Sequence, residues 1–148
     1  MITKNNNITI FQCSLCENGT LTDLSARSLS LPVSEALASA ISESTSLFEL
    51  DLSDCNTLSK DTLGILLEKG VAKSASIRVL NLKGSDLDGR TVSLLGKVLQ
   101  VNNSLLRMSL EWNNIGVNLE AFSAFCSGLQ ANIKLETLNL RLVNSSRA

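Results

Sequence analysis

Residues 105–113 read Leu105-Leu106-Arg107-Met108-Ser109-Leu110-Glu111-Trp112-Asn113, and the same rhythm returns three more times. The other copies are Leu47-Phe48-Glu49-Leu50-Asp51-Leu52-Ser53-Asp54-Cys55, Ile77-Arg78-Val79-Leu80-Asn81-Leu82-Lys83-Gly84-Ser85 and Leu135-Glu136-Thr137-Leu138-Asn139-Leu140-Arg141-Leu142-Val143. Each opens on an apolar residue and repeats apolar residues three and five places on. The four starts are spaced 30, 28 and 30 residues apart. A weaker copy, Asp23 to Leu29, falls one period earlier, with Leu24 matching Leu52.

Two apolar residues flanking one other point to the same side of a strand, because side chains alternate with period two. The ninth place then turns the chain off the strand, and Asn113 there can bond loop backbone groups. Ser85 and Cys55 hold the same place. Between the strands, apolar residues recur at helical spacing. Leu63, Leu66, Leu67 and Val71 form one stripe. Val92, Leu95, Val98 and Leu99 form the next, and Phe122, Phe125, Cys126 and Leu129 a third. Residues 34–44 offer Leu37, Ala40 and Ile41. Ser34, Ser59 and Asp88 stand where N-caps belong. A strand and a full helix in every 28–30 residues is a leucine-rich repeat of the longer, ribonuclease-inhibitor-like class. The expected fold is α/β: a right-handed solenoid with a parallel sheet on its concave side and helices on its convex side. No repeat can bury its apolar face alone, and stacking about three closes a continuous core.

The ends depart from that regularity. Residues 1–18 place Ile8, Phe11 and Leu15 on one helical face, so they are expected to form a capping helix ahead of a repeat domain over 19–148. That domain holds four to five repeats, the last incomplete, since Val143 stands where Asn or Cys belongs. A parallel sheet that stops on a bare strand exposes unpaired backbone. On that ground the chain is expected to be a fragment, a splice variant or an imperfect gene model.

The composition narrows the function. The chain has 148 residues, 44% of them apolar, enough for one domain with a real core. Thirteen Lys and Arg against fourteen Asp and Glu leave a net charge of −1, which argues against nucleic acid and acidic membrane as partners. There is no histidine, the commonest general base and metal ligand. No glycine-rich phosphate loop and no pair of acids at metal-site spacing occurs, and no serine or cysteine has a histidine to activate it. Neither an enzyme, a cofactor nor a small-molecule substrate is expected. The polar start and the lack of any run near ~18 apolar residues point to the cytosol. There Cys13, Cys16, Cys55 and Cys126 should be free thiols. The pair Cys13-x-x-Cys16 lacks the further ligands of a zinc site. The Asn-x-Ser/Thr triplets at Asn7, Asn18, Asn102 and Asn144 carry no meaning without secretion.

With the leucines turned inward, the residues between them face outward. They are Glu49, Asp51 and Ser53; Val79, Asn81 and Lys83; Arg107, Ser109 and Glu111; and Thr137, Asn139 and Arg141. This set runs from acidic to basic and is the candidate surface for a protein partner, although a solvated sheet face would look similar. Trp112 sits at the rim beside Asn113. Trp is enriched at binding hot spots, but packing on a neighbouring loop is the commoner use of such a ring.

The stretches Asp51-Leu52-Ser53-Asp54-Cys55, Leu80-Asn81-Leu82-Lys83-Gly84, Leu95-Gly96-Lys97-Val98-Leu99, Leu110-Glu111-Trp112-Asn113 and Ala124 to Asn132 together resemble the N-terminal repeats of the leucine-rich repeat-containing protein 45 family. The likeness covers most of residues 20–141. It implies a ribonuclease-inhibitor-like repeat domain followed by a long coiled coil. It also implies a place in the centrosome linker that holds two centrioles together, with other linker proteins as partners. This chain contains no heptad coiled coil, and Ser85 and Val143 replace the usual Asn. A generic repeat regulator or inhibitor of an enzyme or GTPase stays open as an alternative. So does a truncated product with no independent function.

Overall fold

The computed structural model describes residues 2–5, 8–12, 31–55 and 58–141. Each leucine motif is a short strand: β3 (Leu47–Asp51), β4 (Val79–Asn81), β5 (Arg107–Ser109) and β6 (Thr137–Asn139). These strands lie side by side and parallel, pairing Leu50 with Leu80, Leu80 with Met108 and Met108 with Leu138. The observed register therefore equals the alignment of the sequence copies. Helices return the chain between strands: α1 (Leu31–Glu43), α2 (Lys60–Ile65), α3 (Gly89–Val101) and α4 (Leu119–Ala131).

The core lies between the sheet and the helices. Leu50, Leu52, Leu80, Leu82, Met108 and Leu110 meet the helix stripes of Leu63, Leu66, Leu67, Val71, Leu95, Leu99 and Phe125, all essentially excluded from water. Each such side chain contributes roughly 1.5–3 kcal/mol of burial. Ser59, Asp88 and Asn118 cap their helices by accepting the backbone N–H of Thr62, Thr91 and Ala121 at 3.1, 2.8 and 2.9 Å. Ser34 is not a cap. Its helix begins three residues earlier, at Leu31, and Ser34 is buried with its hydroxyl 3.3 Å from that of Thr62.

The second repeat carries one residue more between Ser59 and Ser74 than α3 and α4 carry between their caps. The excess is taken up by a π-helical turn, Leu66–Gly70, and a 3₁₀ turn, Val71–Lys73. An i→i+5 turn holds an extra residue in the same helical length, so both ends stay in line with the neighbouring repeats. Farther along, α3 and α4 cross so closely that a Cβ on Gly128 would fall on the Gly96 carbonyl, and one on Gly96 would fall on that of Ala124.

The start of the chain is not the expected capping helix. β1 (Ile2–Asn5) and β2 (Ile8–Gln12) pair antiparallel, and β2 pairs parallel with β3, Phe11 opposite Leu50. Ile2, Thr3, Ile8, Thr9, Ile10 and Phe11 are β-branched or aromatic, and this preference for strand outweighs the helical spacing of Ile8 and Phe11. Among the described residues the sheet thus has six strands in sequence order. Leu15, the weak copy at Asp23 to Leu29, the Cys13 and Cys16 pair, and Val143 lie outside the described residues. Cys55 is disulfide-bonded, against the expectation of a free thiol, whereas Cys126 is free and exposed. No helix among the described residues is long and apolar enough to cross a membrane.

Two stability tests follow from this packing. Gly128→Ala should lower unfolding free energy in urea by about 1–3 kcal/mol, because the overpacking at backbone exceeds the helix-propensity gain. Gly64→Ala, whose methyl would meet only Leu94 Cδ2 at 3.8 Å, should raise it by about 0.5–1 kcal/mol. Burial works against the charged form of Asp88, but the Thr91 hydroxyl and N–H, with Lys60 and Arg90 nearby, outweigh it and hold this carboxyl below its usual range. A carboxyl lowered by folding stabilises fully above its unfolded pKa of about 4 and loses that effect as pH falls through the folded value. Asp88→Ala should therefore cost about 1 kcal/mol at neutral pH, and that difference should shrink on acidification below pH of about 4.

Candidate functional site

Away from the helices, the sheet presents the residues that alternate with the core leucines. Glu49, Val79, Arg107 and Thr137 align in one row across the strands, and Asp51, Asn81, Ser109 and Asn139 in the next. Ser53, Lys83, Glu111 and Arg141 follow at the strand ends. The structure thus assembles the sequence candidates into one continuous surface. It grows more exposed from β3 to β6: Glu49 and Val79 are half-buried, Arg107 and Thr137 exposed.

Several of these side chains have local structural work. The carboxylate of Asp51 accepts the N–H of Ser53 at 2.9 Å, and the amide oxygens of Asn81 and Asn139 accept those of Lys83 and Arg141 at 3.1 and 3.2 Å. Each is an Asx turn that bends the chain off its strand. Asn139 also donates to Glu111 at 2.5 Å, and the Lys83 ammonium stands 4.0 Å from the same carboxylate. Glu49, Arg107 and Arg141, by contrast, have no side-chain hydrogen bond or ion pair to any described residue. The charges free to meet a partner are therefore acidic at β3 and basic at β5 and β6.

At the rim, Asp54, Gly84 and Trp112 occupy equivalent places with φ of +55°, +63° and +61°. The left-handed conformation suits Gly and, among others, Asp or Asn. Trp112 holds it with a bulky side chain that is 57% exposed. The Lys83 ammonium, on the neighbouring repeat's loop, stands 5.2 Å from the ring centroid, within cation–π range.

Sequence reading located one polar corner of the repeat and missed the other. At the first, Ser85 donates to Leu52 O at 2.7 Å, and Asn113 donates to Leu82 O at 2.7 Å while accepting the N–H of Leu87 at 3.2 Å. At the second, where helix turns into strand, Ser44, Ser74, Asn102 and Asn132 accept the N–H of Leu47, Ile77, Leu105 and Leu135. Asn102 also donates to Val71 O and Ser74 O, and Asn132 to Leu99 O and Asn102 O. The available signal was a Ser or Asn three places before every motif. Its Asn102 copy also falls in an Asn-x-Ser triplet, and it is buried.

Against the helices lies a groove of about 810 Å³ lined in part by Lys60, Asp61, Glu68, Arg90 and Lys97. Its charges are largely paired: Arg90 reaches Asp61 at 2.8 Å, and Lys60 reaches Asp86 at 3.3 Å. Among the described residues no group of three or more Cys, Asp or Glu could hold a metal ion.

No family model matches the chain. Leucine-rich repeat-containing protein 45 of Gallus gallus is 40% identical over 119 residues, which are 80% of this chain and 18% of the relative. The chain thus spans under a fifth of the length of the curated relative it matches. Among solved structures it resembles the leiomodin-1 actin-binding site 2 (TM-score 0.62, 16% identity, 76% of this chain and 64% of that one). It also resembles the tropomodulin C-terminal domain of Caenorhabditis elegans (TM-score 0.53, 12% identity, 79% and 86%). At such identities these two establish the fold alone. At 40% identity over 80% of its length, the chain is thus similar to the leucine-rich repeat-containing protein 45 family.

Proposed function

We propose that the chain is a non-catalytic protein-interaction scaffold whose partner lies on the open face of the sheet. The observation that carries this reading is the division of labour just described. Leucines and helix stripes serve the core, Asx side chains serve the turns, and Glu49, Arg107 and Arg141 serve neither. Residues with no structural task on a rigid repeat surface are the ones a partner can use. The coil is right-handed in this reading, as parallel strand–helix–strand crossovers almost always are.

Kinship supports the finer assignment. A repeat segment of this family would act in the cytoplasm at the centrosome, as part of the linker that holds centrioles together, with other linker proteins on its open face. Actin binding belongs to the leiomodin-1 site that shares the fold, and likeness of fold does not transfer it.

The test is to express the tagged chain in cultured cells and score its enrichment at centrosomes beside a Glu49→Arg/Arg107→Glu variant. The intact chain should concentrate there and the variant should not. The variant's unfolding free energy should stay within about 0.5 kcal/mol, since neither side chain has a hydrogen bond or ion pair to a described residue and surface substitutions away from such features change stability little. A chain that is diffuse, or a variant that localises equally well, would contradict the assignment.

A further inference from the structure

We infer that Trp112 is the anchor of the open face, and that the anchor takes an acidic protein segment bearing an apolar side chain. This deepens the open-face reading and rests on it. The first argument is conformational. The equivalent places hold Asp54 and Gly84, both suited to a left-handed backbone, whereas Trp112 adopts φ +61° with a bulky side chain. A disfavoured conformation persists where the surrounding structure imposes it, and such positions cluster at ligand clamps.

Burial does not account for the indole. Trp112 is 57% exposed, and the Lys83 ammonium stands 5.2 Å from the ring centroid. The turn therefore presents a rigid aromatic surface to solvent, steadied by a cation. Aromatic side chains presented this way supply large contact area with few rotors, and Trp is enriched among residues that dominate binding.

The charges around the ring choose the partner. Lys83 and Arg141 bring two positive charges to this end of the face, and Arg107 a third at the opposite end of β5. The nearby acid, Glu111, is already engaged by Lys83 at 4.0 Å and by the Asn139 amide at 2.5 Å. Arg107 precedes Glu111 by four residues, about 13 Å at the rise of extended chain. Trp112 lies beside Arg141, its N–H donating to Arg141 O at 3.1 Å, so an extended segment of about five residues can set a carboxylate on Arg107 at one end and, at the other, a carboxylate on Arg141 with an apolar side chain over the indole. Stacked bases would also suit an indole flanked by cations. A polyanion, however, would meet Glu49, Asp51 and Asp54 on the same sheet and a chain of net charge −1, which disfavours it.

Trp112 is the sole tryptophan and the chain has no tyrosine, so intrinsic emission reports this ring alone. The experiment pans a random displayed peptide library on the intact chain, then titrates the enriched peptides against that emission. Enriched peptides should combine Asp or Glu with an aromatic residue or leucine, and should shift the emission to the blue. Affinity, followed by calorimetry, should fall about tenfold or more in Trp112→Gly and in Arg107→Glu/Arg141→Glu. Glycine suits the turn, so Trp112→Gly should keep its thermal midpoint, and Trp112→Asn serves as a second variant if it does not. Ser109→Phe, which obstructs the middle of the face, should also abolish binding. Peptides blocked by Ser109→Phe but indifferent to Trp112→Gly would overturn the anchor and leave the open-face reading standing. Peptides indifferent to both would overturn both. An empty or basic selection, or a single-stranded oligonucleotide that shifts the emission where the peptides do not, would overturn the anchor.

Discussion

Asn102 is buried where α3 gives way to β5, and the neighbouring turns of the repeat depend on it. Its oxygen takes the N–H groups of Ser104 and Leu105, and its nitrogen reaches back to the carbonyls of Val71 and Ser74. Its own carbonyl then receives Asn132 of the next turn. A buried backbone group without a partner is costly, and a helix-to-strand corner would bury several. At the Asn102 and Asn132 corners a single amide settles them while bridging to the preceding repeat. Among the described residues no buried side-chain polar atom is left without a partner.

Once that spacing is fixed, the rest follows in order. The corners hold the strands in register, the register stacks Leu50, Leu80, Met108 and Leu138 in one row, and the row faces the helices. The intervening residues must then form the opposite, open surface. Local turn chemistry uses some of these, Asp51, Asn81 and Asn139, and spares others. That separation is what makes the face readable as a binding surface. The backbone at Trp112 belongs to the same logic, for the turn would form more readily with the residues found at Asp54 or Gly84.

The repeat was legible because its physics is local and periodic. Leucine spacing located the four strands, and Ser59 and Asp88 were correctly placed as caps. The start of the chain was misread because Ile8 and Phe11 fit a helical stripe as well as a strand. Pairing with β3, a contact distant in sequence, selects the strand. Ser34 has the right chemistry for a cap, but its helix begins at Leu31 and its hydroxyl meets Thr62 instead. The π turn at Leu66–Gly70 marks a one-residue excess that only the fixed corners on either side reveal. Of the candidate surface, the sequence could place the residues but not sort them. Asp51 and Glu49 look alike as letters, and only geometry shows that one closes a turn while the other is free.

The most direct test of the corner's importance is urea unfolding of Asn102→Ala beside Asn103→Ala, its exposed neighbour. Removing the buried amide takes the acceptor from the N–H groups of Ser104 and Leu105, while Ser74 O keeps the Ser104 hydroxyl and Val71 O the Ser74 N–H, so Asn102→Ala should lose about 2 kcal/mol or more, with Asn103→Ala within about 0.5 kcal/mol of the parent. Equal, small effects at both positions would contradict the account and return the spacing of the repeats to leucine packing alone.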